Sequence, residues 1–182
     1  MDKGHMKLNE MLAYKVAMLS SDLSESLYKV YAPYQLTMPQ WRILATLGEV
    51  AEIMPNELIA TEFIPPEPSS IESDEQEITE AKNNLPRGAL TAKHIAFATR
   101  LDKVQVSRAL LTMENNNLIF RSPSEEDRRA TEVFLTDEGK EVYQTLVPLV
   151  AKWQKEKLAG ITETEYETFL KVIAALTTSL TT

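Results

Sequence analysis

Residues 91–136 read TAKHIAFATRLDKVQVSRALLTMENNNLIFRSPSEEDRRATEVFLT, and their pattern decides the fold. A short helix begins after Thr91, a four-residue break follows, and a longer amphipathic helix comes next. Asp102 is placed as the N-cap of that longer helix with Gln105 at N3, so side-chain oxygens can meet the free N–H groups of the first turn. At helical spacing Val106, Ala109, Leu110 and Met113 share one side, which leaves Val104, Gln105, Ser107, Arg108, Leu111 and Thr112 on or beside the other. Two strands, 118–122 and 130–135, then flank a charged turn. Two helices across a tight break followed by a hairpin describe a winged helix-turn-helix.

The outer face of the longer helix is short, polar and cationic, and it fits a major groove, where Gln pairs with adenine and Arg with guanine. An ordinary solvated helix face is the alternative. The turn SPSEEDRRATEVFLT places Asp127, Arg128 and Arg129 at the tip of the hairpin, where arginines can reach the concentrated negative potential of a minor groove.

Outside this stretch, 182 residues with 43% apolar content suit one globular domain or two small lobes. No run of eighteen apolar residues occurs and no secretory signal precedes the first helix, so a soluble, cytoplasmic protein with no membrane partner is expected. The absence of cysteine excludes disulfides and thiolate sensing, and His5 and His94 alone cannot assemble a zinc site; no metal and no cofactor are expected. No nucleophile–base–orienter set is legible and only five glycines are present, so the reading is of a protein without enzymatic activity.

A net charge of −8 opposes DNA binding only until its distribution is considered. Ten of the 27 acidic residues lie between Glu49 and Ala81, where there is no Lys or Arg, and the remaining 17 are set against all 19 basic residues. The local field over a binding face decides phosphate contact, because counterions are released locally.

Long apolar stripes occupy both ends of the chain. From Lys7 to about Ala32 the residues Leu8, Leu12, Val16, Leu19, Leu23, Leu27 and Val30 recur at spacings of three and four. From Thr136 to about Ala159 a second helix carries Val142, Leu146, Leu149, Val150 and Trp153, with Pro148 expected to bend it. A third starts at the capping box Thr162–Glu165 and continues through Tyr166, Phe169, Leu170, Ile173, Leu176 and Leu180. Stripes of this length require partners, either within one bundle or across a dimer. Thr37 and Gln40 form another capping box, ahead of a helix carrying Trp41, Leu44 and Leu47.

The segments LDKVQVSRAL and IFRSPSEEDRRATEVFLTDEGKEVY resemble the MarR family of bacterial transcription regulators, whose wing signature D-x-R-x-x-x-x-x-L-T is met by Asp127, Arg129, Leu135 and Thr136. The fold class implied is mainly α with a small β wing. Residues 1–36 would supply an N-terminal dimerisation helix, 37–136 a winged helix-turn-helix lobe, and 137–182 the C-terminal dimerisation helices. The resemblance further implies a homodimer on double-stranded DNA, with half-sites about 10 bp apart in a palindromic operator, acting as a repressor rather than an activator. It implies roles as well. Lys103, Gln105, Ser107 and Arg108 would read or anchor the major groove, and Thr91 and Lys93 would contact phosphate at a helix start. Arg129 and Arg128 would enter the minor groove, with Asp127 holding a wing arginine by a charge-assisted hydrogen bond, or else making only a surface salt bridge of little worth. A small aromatic or phenolic effector would sit between the dimer helices and the winged lobe, where Tyr28, Tyr31, Tyr34, Trp41 and Arg42 offer rings and a cation; core packing is the competing reading for those aromatics.

The chain departs from the family pattern at three points. About 38 residues, roughly 50–88, are interposed before the LTAKHIA motif: an apolar half and an acidic, Ser-bearing half. They read as a solvated surface loop, or as a regulatory strip that folds over the DNA face, covers a ligand cavity or, in a winged-helix interaction module, binds a partner protein. Asn117 stands where the family has Gly before the first wing strand, and is the next most tolerant residue for the left-handed backbone needed there. Thr112 stands where a basic residue is often found, which removes one phosphate contact.

Overall fold

The computed structural model describes residues 7–51, 90–124 and 130–180. In chain order the elements are α1 (Leu12–Tyr31), α2 (Met38–Val50), β1 (Leu90–Thr91), α3 (Ala92–Thr99), α4 (Lys103–Asn115), β2 (Ile119–Pro123), β3 (Thr131–Leu135), α5 (Asp137–Leu158) and α6 (Glu163–Ser179), with short 3-10 turns at Leu8–Glu10 and Ala32–Tyr34. The molecule is mainly helical with a small sheet. Residues 52–89, which take in all but the start of the insert expected at about 50–88, and the wing tip 125–129, with Asp127, Arg128 and Arg129, lie outside the described residues.

Local chemistry accounts for where the helices begin. At α2 the Thr37 N–H donates to Gln40 Oε1 at 2.8 Å, and at α6 the Thr162 N–H donates to Glu165 Oε2 at 2.8 Å, so donors the helices cannot satisfy internally are satisfied by side chains. Between the Ala32–Tyr34 turn and α2, Gln35 adopts a left-handed backbone with φ 58° and reverses the chain. Pro148 lies within the single helix α5, where its ring removes one internal hydrogen bond.

A third strand joins the two expected. The sheet runs β1–β3–β2, antiparallel throughout, with Leu90 opposite Val133, Thr91 opposite Glu132 and Ile119 opposite Leu135. Leu90, Ile119, Val133 and Leu135 are buried and join Ile43, Leu44 and Leu47 of α2, Ile95 of α3 and the inner face of α4 in one core. The α5 helix closes that core with Tyr143 and Leu146. The Tyr143 ring presses on the backbone of α2 where Gly48 has no side chain: a Cβ there would stand 2.5 Å from the ring. Burial, and then the neighbouring Glu49 carboxylate, push the Tyr143 phenol pKa above its ordinary value.

The termini are packed differently. The Trp153 indole N–H donates to Ser26 Oγ at 3.0 Å and ties α5 to α1. Yet Tyr31 is the single buried residue of α1, and α6 has none.

Candidate nucleic-acid interface

Helix α4 is fixed at both ends by its own sequence. At its start the Gln105 N–H donates to Asp102 Oδ1 at 2.8 Å and the Asp102 N–H donates to Gln105 Oε1 at 3.2 Å, a reciprocal capping box. Just upstream, Arg100 holds a left-handed φ of 55° and Leu101 is buried, which pins the tight turn between α3 and α4 to the core. At the other end, the Leu118 N–H donates to the Met113 carbonyl at 2.9 Å and the Asn117 N–H to the Glu114 carbonyl at 3.0 Å. Those two bonds, with Asn117 at φ 57°, make a Schellman motif in which Asn takes the usual place of Gly. Leu118 and Met113, the hydrophobic pair that accompanies this motif, are both buried.

Between these ends the two faces separate cleanly. Val106, Ala109, Leu110 and Met113 are buried, while Lys103, Val104, Gln105, Ser107, Arg108, Leu111 and Thr112 are exposed. Gln105 is less available than its sequence position suggests, because the amide oxygen that a bidentate adenine contact needs already accepts from Asp102. Thr112 turns its hydroxyl to the Arg108 carbonyl at 3.1 Å.

Thr91 and Lys93 stand at the first turn of α3. Thr91 is its N-cap, its Oγ1 accepting from the His94 N–H at 3.3 Å, and Lys93 is exposed one residue into the helix. The far end of α3 is held to α2, where the Arg42 guanidinium donates to the Thr99 carbonyl at 3.3 Å. Thr91, Lys93 and the α4 candidates are thus carried on two helices braced by a third.

The wing is joined to α4 by the Arg121–Glu114 ion pair at 3.2 Å, and its base closes where the Ser124 N–H donates to the Ala130 carbonyl at 3.0 Å. Inside that closure the Ser124 hydroxyl donates to the Glu132 carboxylate at 2.7 Å, and Glu132 is only 6% exposed. Burying a carboxylate costs several kcal/mol unless it is hydrogen-bonded, so this contact holds the hairpin base in one register. Neither Ser124 nor Glu132 is legible from sequence as a pair, since β3 does not alternate cleanly between buried and exposed residues.

One junction links the wing and α4 to the terminal helices. The Thr136 hydroxyl donates to the Asn117 carbonyl at 2.5 Å, its N–H donates to the Leu118 carbonyl at 3.1 Å, and its Oγ1 accepts from the Gly139 N–H at 3.0 Å. The Asn117 amide donates to Glu138 at 3.1 Å. The start of α5 is therefore bonded directly to the end of α4.

The aromatic candidates split. Tyr31 and Trp41 are buried and stacked, with ring centroids 5.9 Å apart, and Tyr28 meets Tyr31 edge-on at 5.5 Å. Tyr28 is half-exposed, Tyr34 partly buried and packed on the core, and Arg42 exposed.

A sequence model of the MarR family matches residues 83–130, the span that holds α3, α4 and the first wing strand. This stretch of the chain is similar to the MarR family. An uncharacterized HTH-type transcriptional regulator of Bacillus subtilis, YwaE, is 32% identical to this chain over 78 residues, which are 43% of the chain and 46% of that relative. Several solved structures share the fold. MepR of S. aureus, solved as a DNA complex, superposes with a TM-score of 0.67 at 17% identity over 93% of this chain and 98% of its own. BpsR of Bordetella bronchiseptica, whose DNA binding is regulated by 6-hydroxynicotinic acid, gives 0.68 at 15% identity over 95% and 97%. MarR of E. coli in its apo form gives 0.61 at 16% identity over 91% and 96%.

Proposed function

We propose that this chain is a MarR-type, sequence-specific DNA-binding transcriptional regulator that acts as a homodimer on a palindromic operator, as a repressor, under the control of a small aromatic or phenolic effector. The observation that carries the reading is the outward face of α4, held in one orientation by a capping box at Asp102 and a Schellman motif at Asn117, and flanked by the cationic start of α3 and the base of a wing. Arg108, Lys103, Ser107 and Gln105 read or anchor the major groove; Thr91 and Lys93 contact phosphate; Arg128 and Arg129 reach the minor groove, with Asp127 as their partner. In this reading residues 1–36 and 137–182 form the dimer lobe and 37–136 the reading lobe. Among the described residues no helix is long and apolar enough to cross a membrane, in keeping with a regulator that meets DNA in the cytoplasm.

Tyr28, Tyr34 and Arg42, around the stacked Tyr31–Trp41 pair, form the candidate effector site. The effector acts by preferring one spacing of the two reading heads, and the Thr136 junction supports this coupling because its hydrogen bonds join the start of α5 to the turn that ends α4.

Fluorescence anisotropy tests the reading. The probes are a labelled duplex from upstream of the chain's own gene and a shuffled duplex, each titrated at several salt concentrations. Selective binding with a steep salt slope is expected. Weak binding that is indifferent to sequence would reject the proposal.

A further inference from the structure

Two side chains on the outer face of α4 are neither polar nor charged. Val104 and Leu111 are each 57% exposed. A single exposed leucine is ordinary on a protein surface; the placement of these two is what matters. At 100° per residue, the direction opposite the buried Val106, Ala109, Leu110 and Met113 is occupied by one row, Val104, Arg108 and Leu111. Its apolar members stand seven positions apart, which sets them about 10.5 Å from each other along the helix axis at 1.5 Å per residue. That distance is close to three base steps at about 3.4 Å each.

The neighbouring polar groups are partly occupied. Gln105 Oε1 accepts from the Asp102 N–H and the Thr112 hydroxyl donates to the Arg108 carbonyl, so the row presents one cation between two hydrocarbon groups. Against a duplex, a major groove offers an apolar side chain one matching group on the base edges, the C5-methyl of thymine. We propose that Val104 and Leu111 are specificity-determining residues, each packing on a thymine methyl, one on either side of the base pair that Arg108 reaches. This rests on the DNA-binding reading and adds to it a prediction for the half-site: two thymines about three base steps apart, bracketing the base that Arg108 contacts.

Uracil separates this from every hydrogen-bonding explanation, because it keeps the base edge of thymine and lacks only the methyl. Duplexes are first enriched from a random-sequence pool on the full-length wild-type protein; deoxyuridine then replaces each thymidine of the best half-site singly, and affinity is read by anisotropy at fixed salt. Two positions are expected to lose about fourfold in affinity, the worth of one buried methyl-sized group. Val104→Ala is expected to abolish the loss at one position and Leu111→Ala the loss at the other, with melting temperatures unchanged since both side chains are exposed. Equal binding of uracil and thymine throughout the half-site would overturn the proposal, as would retention of both losses in both variants. A wild-type protein that enriches no preferred duplex would reject the regulator reading itself, and is distinguished from these outcomes at the first step.

Discussion

Gly139 shows how tightly α5 is joined to the turn between α4 and the wing at a single residue. It lies in the first turn of α5, where an exchange to Ala ordinarily gains up to about 1 kcal/mol from helix propensity. Here a Cβ would stand 2.0 Å from the Leu118 carbonyl oxygen, a backbone atom that already accepts from the Thr136 N–H and cannot turn aside. Gly139→Ala is therefore expected to lose about 3 kcal/mol, the upper end of the range for overpacking, read as a lower urea midpoint with an unchanged slope. Gly160, in the turn between α5 and α6, supplies the control: nothing lies within 4 Å of its Cβ position, so Gly160→Ala should be neutral or gain about 0.5 kcal/mol through the unfolded chain. Equal effects at the two glycines would refute the steric account. Residue-scale legibility was uneven for reasons the same chemistry explains. Asn117 could be assigned a left-handed backbone because Asn tolerates it, whereas Gln35 and Arg100 hold φ of 58° and 55° with side chains that give no such signal. Their conformation is imposed by the elements on either side, which residue type does not encode.

At the scale of elements, the capping boxes were legible because each is four residues long and local. All three, Thr37–Gln40, Asp102–Gln105 and Thr162–Glu165, form reciprocal caps. Strand β1 was not legible, because Leu90 and Thr91 become a strand only through pairing with Val133 and Glu132, far along the chain. The inner and outer faces of α4 followed from helical period, while the engagement of Gln105 by its own cap competes with the base contact its position suggests. Two of the boxes also make a matched pair for a pH experiment. Hydrogen bonds from the Thr162 hydroxyl, and then from its backbone N–H, hold the Glu165 pKa below the usual carboxylate value. A depressed pKa means the unfolded state binds the proton more readily, so the cap's contribution is present above the unfolded carboxylate pKa of about 4.3 and fades as pH falls through the lower folded value. Amide exchange in the first turn of α6 should accelerate, relative to the intrinsic rate, as pH falls from 5 to 3. The first turn of α2, capped by Gln40, which does not titrate, should keep its protection at this cap. Glu165→Gln retains the acceptor and is expected to abolish the α6 dependence. An α6 response that persists in that variant would assign the effect to another group.

The whole molecule raises the question of what covers its ends. Leu12, Val16, Leu19 and Leu23 on α1 range from 39% to 58% exposed, with Leu8 in the turn before it at 60%, and on α6 Phe169, Leu170, Val172 and Ile173 from 39% to 50%. Such stripes exceed what a monomer ordinarily leaves in water, and the alternative of an intramolecular bundle loses ground because no residue of α6 is fully buried among the described residues. A second copy offering the same helices would bury both stripes at once, since a two-fold interface is self-complementary. Sedimentation equilibrium is accordingly expected to give twice the chain mass of 20.6 kDa. Leu12→Asp combined with Leu170→Asp should return the mass to that of one chain, while the core of α2, α3, α4 and the sheet stays folded, because both residues lie outside the buried cluster. The consequence for DNA separates a dimer that matters from one that does not. Two reading heads neutralise twice the phosphates of one, and the slope of log affinity against log salt scales with that number, so the double variant should bind with about half the wild-type slope and lose its preference for a palindrome over a single half-site. If the variant is monomeric by mass yet keeps the full slope and the palindrome preference, the two heads do not act through this interface.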